Sequence, residues 1–236
     1  MKRILTIVSA LFLLFGLTAC NLLGMSSNTT GIVIPPESSS GDRVLPDLPT
    51  EVKYEDFIGE FPDNYYLSFS QDTLVLLSKM LNKTCGELTI AATPSATHYR
   101  INADGVLAEV VDETEIMYIR KGGKGSFSKT RISDEYADAY TQMTDGFAEM
   151  ANGMRLQYFF DREVFSELEV TALRFEEVAG RDCTVYSIVY ENMVDMIVYL
   201  DFDTKVCLKL VDNINENVDV AFAVFKTSDF SIPKYK

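Results

Sequence analysis

Nucleophilic catalysis and zinc binding both need histidine, thiol or carboxylate groups brought within a few ångströms of one another, so the scarce reactive residues come first. His98 is the only histidine in the chain. It lies in Ala96-Thr97-His98-Tyr99-Arg100, a strand-like run with no catalytic signature beside it, and reads as a strand histidine with a hydrogen bond or solvent contact. Gly122-Gly123-Lys124-Gly125 lacks the spacing of a phosphate-binding loop and opens no helix, which leaves a hairpin turn. Asp201 with Asp203, and Asp212 with Asn213, Asn215 and Asp219, are oxygen-rich enough for calcium. Neither set has the EF-hand spacing, and turn chemistry accounts for both. Glu176 and Glu177 are strand neighbours whose side chains point to opposite faces, so they cannot converge on one substrate. No nucleophile, base and orienter set emerges, and the expectation is a protein without catalytic residues, metal or cofactor.

The four cysteines divide into one with an address and three without. Met1-Lys2-Arg3 is a short basic start, and Ile4 to Leu17 is an apolar run, the pattern of a secretory signal. It ends in Leu17-Thr18-Ala19-Cys20, which resembles the bacterial lipobox, where small residues precede the cysteine that is modified and then exposed by cleavage. That resemblance implies a diacylglyceryl group on the Cys20 sulfur and, in many bacteria, a further acyl chain such as palmitate on its amine. At about 0.8 kcal/mol per buried methylene, two or three chains hold a protein stably at a membrane. The alternatives are an ordinary signal peptide with a chance cysteine, or an uncleaved apolar anchor; the run is short for a span. The location expected is extracytoplasmic, lipid-anchored to the cell membrane or the outer membrane, and Asn21, which is not the aspartate that retains lipoproteins on the inner membrane in enteric-type bacteria, leaves an outer-membrane or surface destination open.

Cys85, Cys183 and Cys207 leave an odd number for the rest of the chain. If the last strands form a simple meander, Cys183 and Cys207 both flank the neighbourhood of Leu200. Two interstrand spacings put their Cα atoms about 9 to 10 Å apart, beyond disulfide reach. Reduced, buried thiols are expected.

The elements that would carry these residues begin after a tether. Residues 20 to 52 hold Ser26-Ser27-Asn28-Thr29-Thr30, Pro35-Pro36 and Ser38-Ser39-Ser40-Gly41, a composition that reads as a flexible linker. The remainder, 53 to 236, reads as one domain. Tyr54, Phe57, Ile58 and Phe61 have the spacing of a short amphipathic helix stopped by Pro62. Strand-like runs cover 64–70, 87–92, 97–102, 106–111, 115–120 and 126–131, parted by turn residues such as Ala103-Asp104-Gly105. Leu74 to Leu81 fits a buried strand or a helix. Ser133 reads as the N-cap of a helix to Met150, with Tyr136, Tyr140, Met143, Phe147 and Met150 along one stripe. A second helical stretch over 155–165 is expected, followed by strands at 167–178, 184–190, 194–201, 206–211 and 218–226.

Gly180-Arg181-Asp182-Cys183-Thr184-Val185-Tyr186, then Val198-Tyr199-Leu200-Asp201-Phe202-Asp203-Thr204, then Leu208-Lys209-Leu210 and Phe230-Ser231-Ile232-Pro233, resemble in order and spacing the lipoprotein-carrier superfamily of bacterial envelopes. The resemblance spans residues 60 to 233, with its motifs in the last third. It implies an incomplete β-barrel whose open side is closed by helices. That superfamily often carries tryptophan in these strands and this chain has none. Its carrier is soluble, whereas a lipidated Cys20 implies an anchored receptor or lipid-binding relative.

The fold class expected is therefore mostly β (α+β): an incomplete antiparallel barrel of about ten strands, with helices packed in or over the concave face. The stripe Tyr136, Tyr140, Met143, Phe147 and Met150 is the candidate ligand lining, and the same residues serve equally as plain core. The formal charge of −14, lowered further when Lys2 and Arg3 leave with the signal, repels phosphate polymers and excludes nucleic acid as a partner. Two functions follow: an extracytoplasmic, membrane-anchored lipoprotein that binds a lipid, an acyl chain or a lipoprotein, or a non-catalytic envelope scaffold whose core is self-filled.

Overall fold

The computed structural model describes residues 44–113, 115–131, 135–191, 194–214, 218–221, 223–227 and 230–236. Cys20, most of the tether and Ser133 lie outside them. The described residues form two compact units, one of residues 44–62 with 151–224 and one of residues 63–150 with 225–236.

The second unit is built on a seven-stranded antiparallel sheet. Its strands are β1 (Tyr65–Ser68), β2 (Cys85–Thr93), β3 (Ala96–Ala103), β4 (Val106–Glu113), β5 (Ile116–Lys121) and β6 (Ser128–Arg131) in spatial order, with a strand from the C-terminus beside β1. The β3–β4 hairpin is tight because Asp104 (φ 50°) and Gly105 (φ 76°) both take the left-handed region that suits a two-residue turn on twisted strands. That turn sets Arg100 opposite Glu109 and Tyr99 opposite Val110. Side chains alternate, so the sheet has two different faces. One carries Leu67, Ile90, Tyr99, Val110 and Ile119, all buried. The other carries Thr89, His98, Arg100, Glu109 and Arg120.

Between β1 and β2 the segment that fits strand or helix is a helix, α1 (Gln71–Leu81). The Ser70 hydroxyl accepts from Thr73 N at 3.3 Å at its start, and Asn82 ends it in the left-handed region. After β6 comes α2 (Glu135–Gly153), the helix expected from the stripe. Tyr140, Met143, Phe147 and Met150 on it are buried. Phe147 meets Tyr99 with ring centroids 6.2 Å apart, and the Lys121 ammonium lies 5.7 Å from the Tyr140 ring centre. Tyr99 and Lys121 share the apolar face of the sheet, so this is the face α2 covers.

The first unit carries a five-stranded antiparallel sheet: β7 (Glu169–Val178), β8 (Arg181–Tyr190), β9 (Val194–Asp201), β10 (Cys207–Asp212) and β11 (Val218–Ala221), in sequence order across the sheet. It is the meander expected, and β9 pairs Asp201 with Cys183 on one side and Leu200 with Cys207 on the other. The two thiols are free and buried, as is Cys85. The helical stretch expected over 155–165 is broken into a 3-10 turn, Leu156–Tyr158, and one α-turn, α3 (Arg162–Phe165). Asp161 interrupts it by acting as N-cap, its carboxylate accepting from Val164 N at 2.8 Å.

Residues 54–57 form a 3-10 turn rather than an α-helix, and Phe57 alone of its apolar set is fully buried, against Phe165 and Tyr186 at 5.2 and 4.9 Å. Beyond it Gly59 passes so close to the β9–β10 turn that an added Cβ would stand 2.6 Å from the Lys205 carbonyl oxygen. Its own N–H donates to the Gln157 side chain and its carbonyl accepts from it, while Glu60 N donates to Thr204 O. Asp201 holds that turn from the other side, accepting from Arg181, from Thr204 N and from the Thr204 hydroxyl.

The run expected as one strand over 218–226 is two. β11 pairs with β10, and β12 (Val224–Lys226) pairs instead with β1 in the seven-stranded sheet. The fold is mostly β and antiparallel, with twelve strands among the described residues where about ten were expected. Neither sheet closes on itself, since each has two edge strands. No helix of the described residues is long and apolar enough to cross a membrane.

Candidate functional site

The face of the seven-stranded sheet turned away from α2 carries a polar constellation that three neighbouring strands assemble. Glu109 on β4 is opposite Arg100 on β3 and opposite Arg120 on β5. Its side chain is 1% exposed. Arg120 grips it with two parallel donors, Nε to Oε2 at 2.7 Å and Nη2 to Oε1 at 2.9 Å, the fork geometry that makes such pairs strong. Arg100 Nη1 stands 3.7 Å from Oε1, and His98 Nε2 stands 3.4 Å from the same oxygen. Burial by itself would raise the Glu109 carboxyl, but the His98 and Arg120 contacts and the charge of Arg100 outweigh it and hold the group at about 2. It is a carboxylate at any ordinary pH.

Above this constellation lies a recess of about 370 Å³, near the lower limit for small-ligand sites. It is lined by Tyr66, Ser68, Thr89, Arg100 and Glu109 from one face of the sheet and by Phe230, Ser231 and Pro233 of the C-terminal segment. Tyr66 and Phe230 face each other with ring centroids 6.2 Å apart. The segment is pinned further on: Ile232 and Tyr235 pack on Ala96, Val111 and Tyr118, and the Tyr235 hydroxyl and the Lys236 ammonium each meet Glu113 Oε1 at 2.8 Å. Arg120 is fixed from outside as well, its guanidinium 4.4 Å from the Phe127 ring centre.

The expected site residues fall elsewhere. Tyr140, Met143, Phe147 and Met150 lie on α2, which covers the opposite face of the sheet, each no more than 7% exposed. Tyr136 belongs to α2 by its backbone. Cys20 lies outside the described residues. His98 is a strand residue as expected, 8% exposed, but its neighbour is a buried carboxylate rather than solvent. The Gly122 to Gly125 segment is the turn between β5 and β6, with Gly122, Gly123 and Gly125 all at positive φ. Asp201 is committed to its turn and Glu176 to Arg174 at 2.7 Å.

The trio Arg100, Glu109 and Arg120 went unnoticed in the sequence because its members are neighbours only across strands. A signal existed. In a hairpin with a two-residue turn, paired positions count outward symmetrically, so the turn at Asp104-Gly105 sends Arg100 to Glu109.

No family model and no curated protein matches the chain. Solved structures similar to it include MucB, at 14% identity with 75% of this chain and 58% of that one covered and a TM-score of 0.36. The Pseudomonas aeruginosa MucA/MucB complex follows at 16% identity, 72% and 53% coverage and 0.36. The lipoprotein LppX of Mycobacterium tuberculosis matches at 9% identity, 72% and 88% coverage and 0.34. The chain spans a little over half the length of the MucB chains it matches.

Proposed function

We propose that the protein is a non-catalytic, extracytoplasmic lipoprotein, held at a membrane by acyl chains on Cys20, whose apolar interior under α2 accepts an acyl chain. The observation that carries the binding half is the buried stripe Tyr140, Met143, Phe147 and Met150 closing over the apolar face of the seven-stranded sheet. A single helix of side chains held by dispersion and burial is the element that a lipid chain of the same chemistry can displace. The anchor half rests on the basic start, apolar run and Leu17-Thr18-Ala19-Cys20. A scaffold with a self-filled core is the second reading, favoured by the Phe147–Tyr99 contact, which fills the same space with the protein's own rings.

Uptake of a fluorescent fatty acid, measured with unfolding midpoints for wild type and Met143→Phe, separates the two. A ligand interior takes up the probe, and Met143→Phe blocks uptake without loss of stability. A packed core takes up none, and there the larger ring costs about 1 to 3 kcal/mol. Metabolic labelling with a tagged fatty acid tests the anchor: label is expected on the wild type and absent from Cys20→Ser, and equal labelling would refute it.

A further inference from the structure

We propose that the recess lined by β1 to β5 and the C-terminal segment is a binding site for a small organic anion, its carboxylate or phosphate held by Arg100 and Arg120 and its ring or apolar body lying against the Tyr66–Phe230 pair. This site is separate from the interior under α2 and does not depend on it.

Charge is the first argument. The chain carries 35 acidic against 21 basic residues, yet among the described residues this recess gathers Arg100, Arg120 and Lys226 around two carboxylates, Glu87 and Glu109. In a strongly acidic protein a patch of the opposite sign concentrates anions where the rest of the surface repels them.

Unmet hydrogen bonding is the second. Arg120 spends Nε and Nη2 on Glu109, and its Nη1 reaches only the Gly125 carbonyl at 3.5 Å. Arg100 Nε lies 2.8 Å from Glu87 Oε1 without the alignment of a hydrogen bond, and His98 Nε2 stands 3.4 Å from Glu109 Oε1, again without that alignment. A buried ion pair that served the fold alone would be closed over and satisfied, because orphaned buried donors cost free energy. Here the side chains of Arg100 and Arg120 keep 26% and 19% of their surface exposed and border an opening. The hydroxyls of Tyr66, Ser68, Thr89 and Ser231 also line the recess and can donate or accept, while both carboxylates lie against arginine. The two guanidiniums, which can only donate, therefore favour an acceptor-rich ligand.

Shape is the third. Guanidinium planes match planar or tetrahedral oxyanions, and two aromatic rings 6.2 Å apart at centroid give an apolar flank on the same opening. Glu109 orients both arginines and is a positioning residue.

The test is calorimetric titration of the full-length protein with benzoate, phenyl phosphate and benzyl alcohol. Binding of one or both anions, with the alcohol at least about tenfold weaker, is expected, and the tighter anion tells carboxylate from phosphate. Arg100→Gln removes a donor while leaving the Arg120–Glu109 pair intact, and should weaken the anion about tenfold. Ser68→Phe fills the recess from β1 and should abolish binding with the unfolding midpoint retained. If that variant does not fold, Arg100→Gln decides. No heat from either anion at millimolar concentration, equal binding of the alcohol, or unchanged affinity in Arg100→Gln would overturn the proposal.

Discussion

Glu109 is the residue on which the polar face turns, and its behaviour with pH follows from its surroundings. Its carboxyl is held at about 2 against an ordinary 4.5, so the folded state favours the ionised form. The stabilisation is fully present above pH 4.5 and is lost as pH falls towards 2. Glu109→Gln should abolish that dependence and cost about 3 to 5 kcal/mol at neutral pH, because it leaves Arg120 buried against a neutral amide. Urea midpoints of wild type and variant at pH 7 and pH 3 check both parts; a variant that keeps the same acid sensitivity would locate it elsewhere. The three thiols behave in the opposite sense. Burial pushes Cys207 up to about 12 and raises Cys183 and Cys85 as well, so all three are protonated and slow to react in the folded protein. Iodoacetamide should modify them only after denaturation, and rapid labelling of Cys207 in the native state would contradict its place on β10.

At the scale of elements, local signals served well where pairing is local. The turns at Ala103 to Gly105 and Ala179-Gly180 mark hairpins because Asp104, Gly105, Ala179 and Gly180 all adopt positive φ. α1 could not be told from a strand by periodicity over so few residues; its caps, Ser70 and Asn82, are what decide it. The run 218–226 concealed a change of sheet, since nothing in its own residues says that β12 pairs with β1, far away in the chain. The site was hidden for the same reason. The stripe on α2 is visible within one helix, while Arg100, Glu109 and Arg120 need three strands in register. Gly59 belongs to this scale too, because it lets the 54–60 segment lie on the β9–β10 turn. Gly59→Ala must push the Lys205 carbonyl away and loosen the Glu60–Thr204 hydrogen bond, at about 1 to 3 kcal/mol. Thermal unfolding measures it, and an unchanged midpoint would mean that the segment is not held there.

At the scale of the whole molecule, the five-stranded sheet runs in sequence order while the seven-stranded one does not, and that difference governs how each is made. β7 to β11 pair only with sequence neighbours, so that sheet can form as its hairpins appear. The seven-stranded sheet begins with β1 at Tyr65 and receives its last member, β12, at Val224. Until β12 is delivered, β1 presents an unpaired edge, the kind of surface that recruits strands from other molecules. A polypeptide cut before Val224 would carry that edge permanently and would also lack Ile232 and Tyr235 over Ala96, Val111 and Tyr118. Delivery of β12 thus acts as quality control on the seven-stranded sheet, while the meander sheet needs no such late arrival.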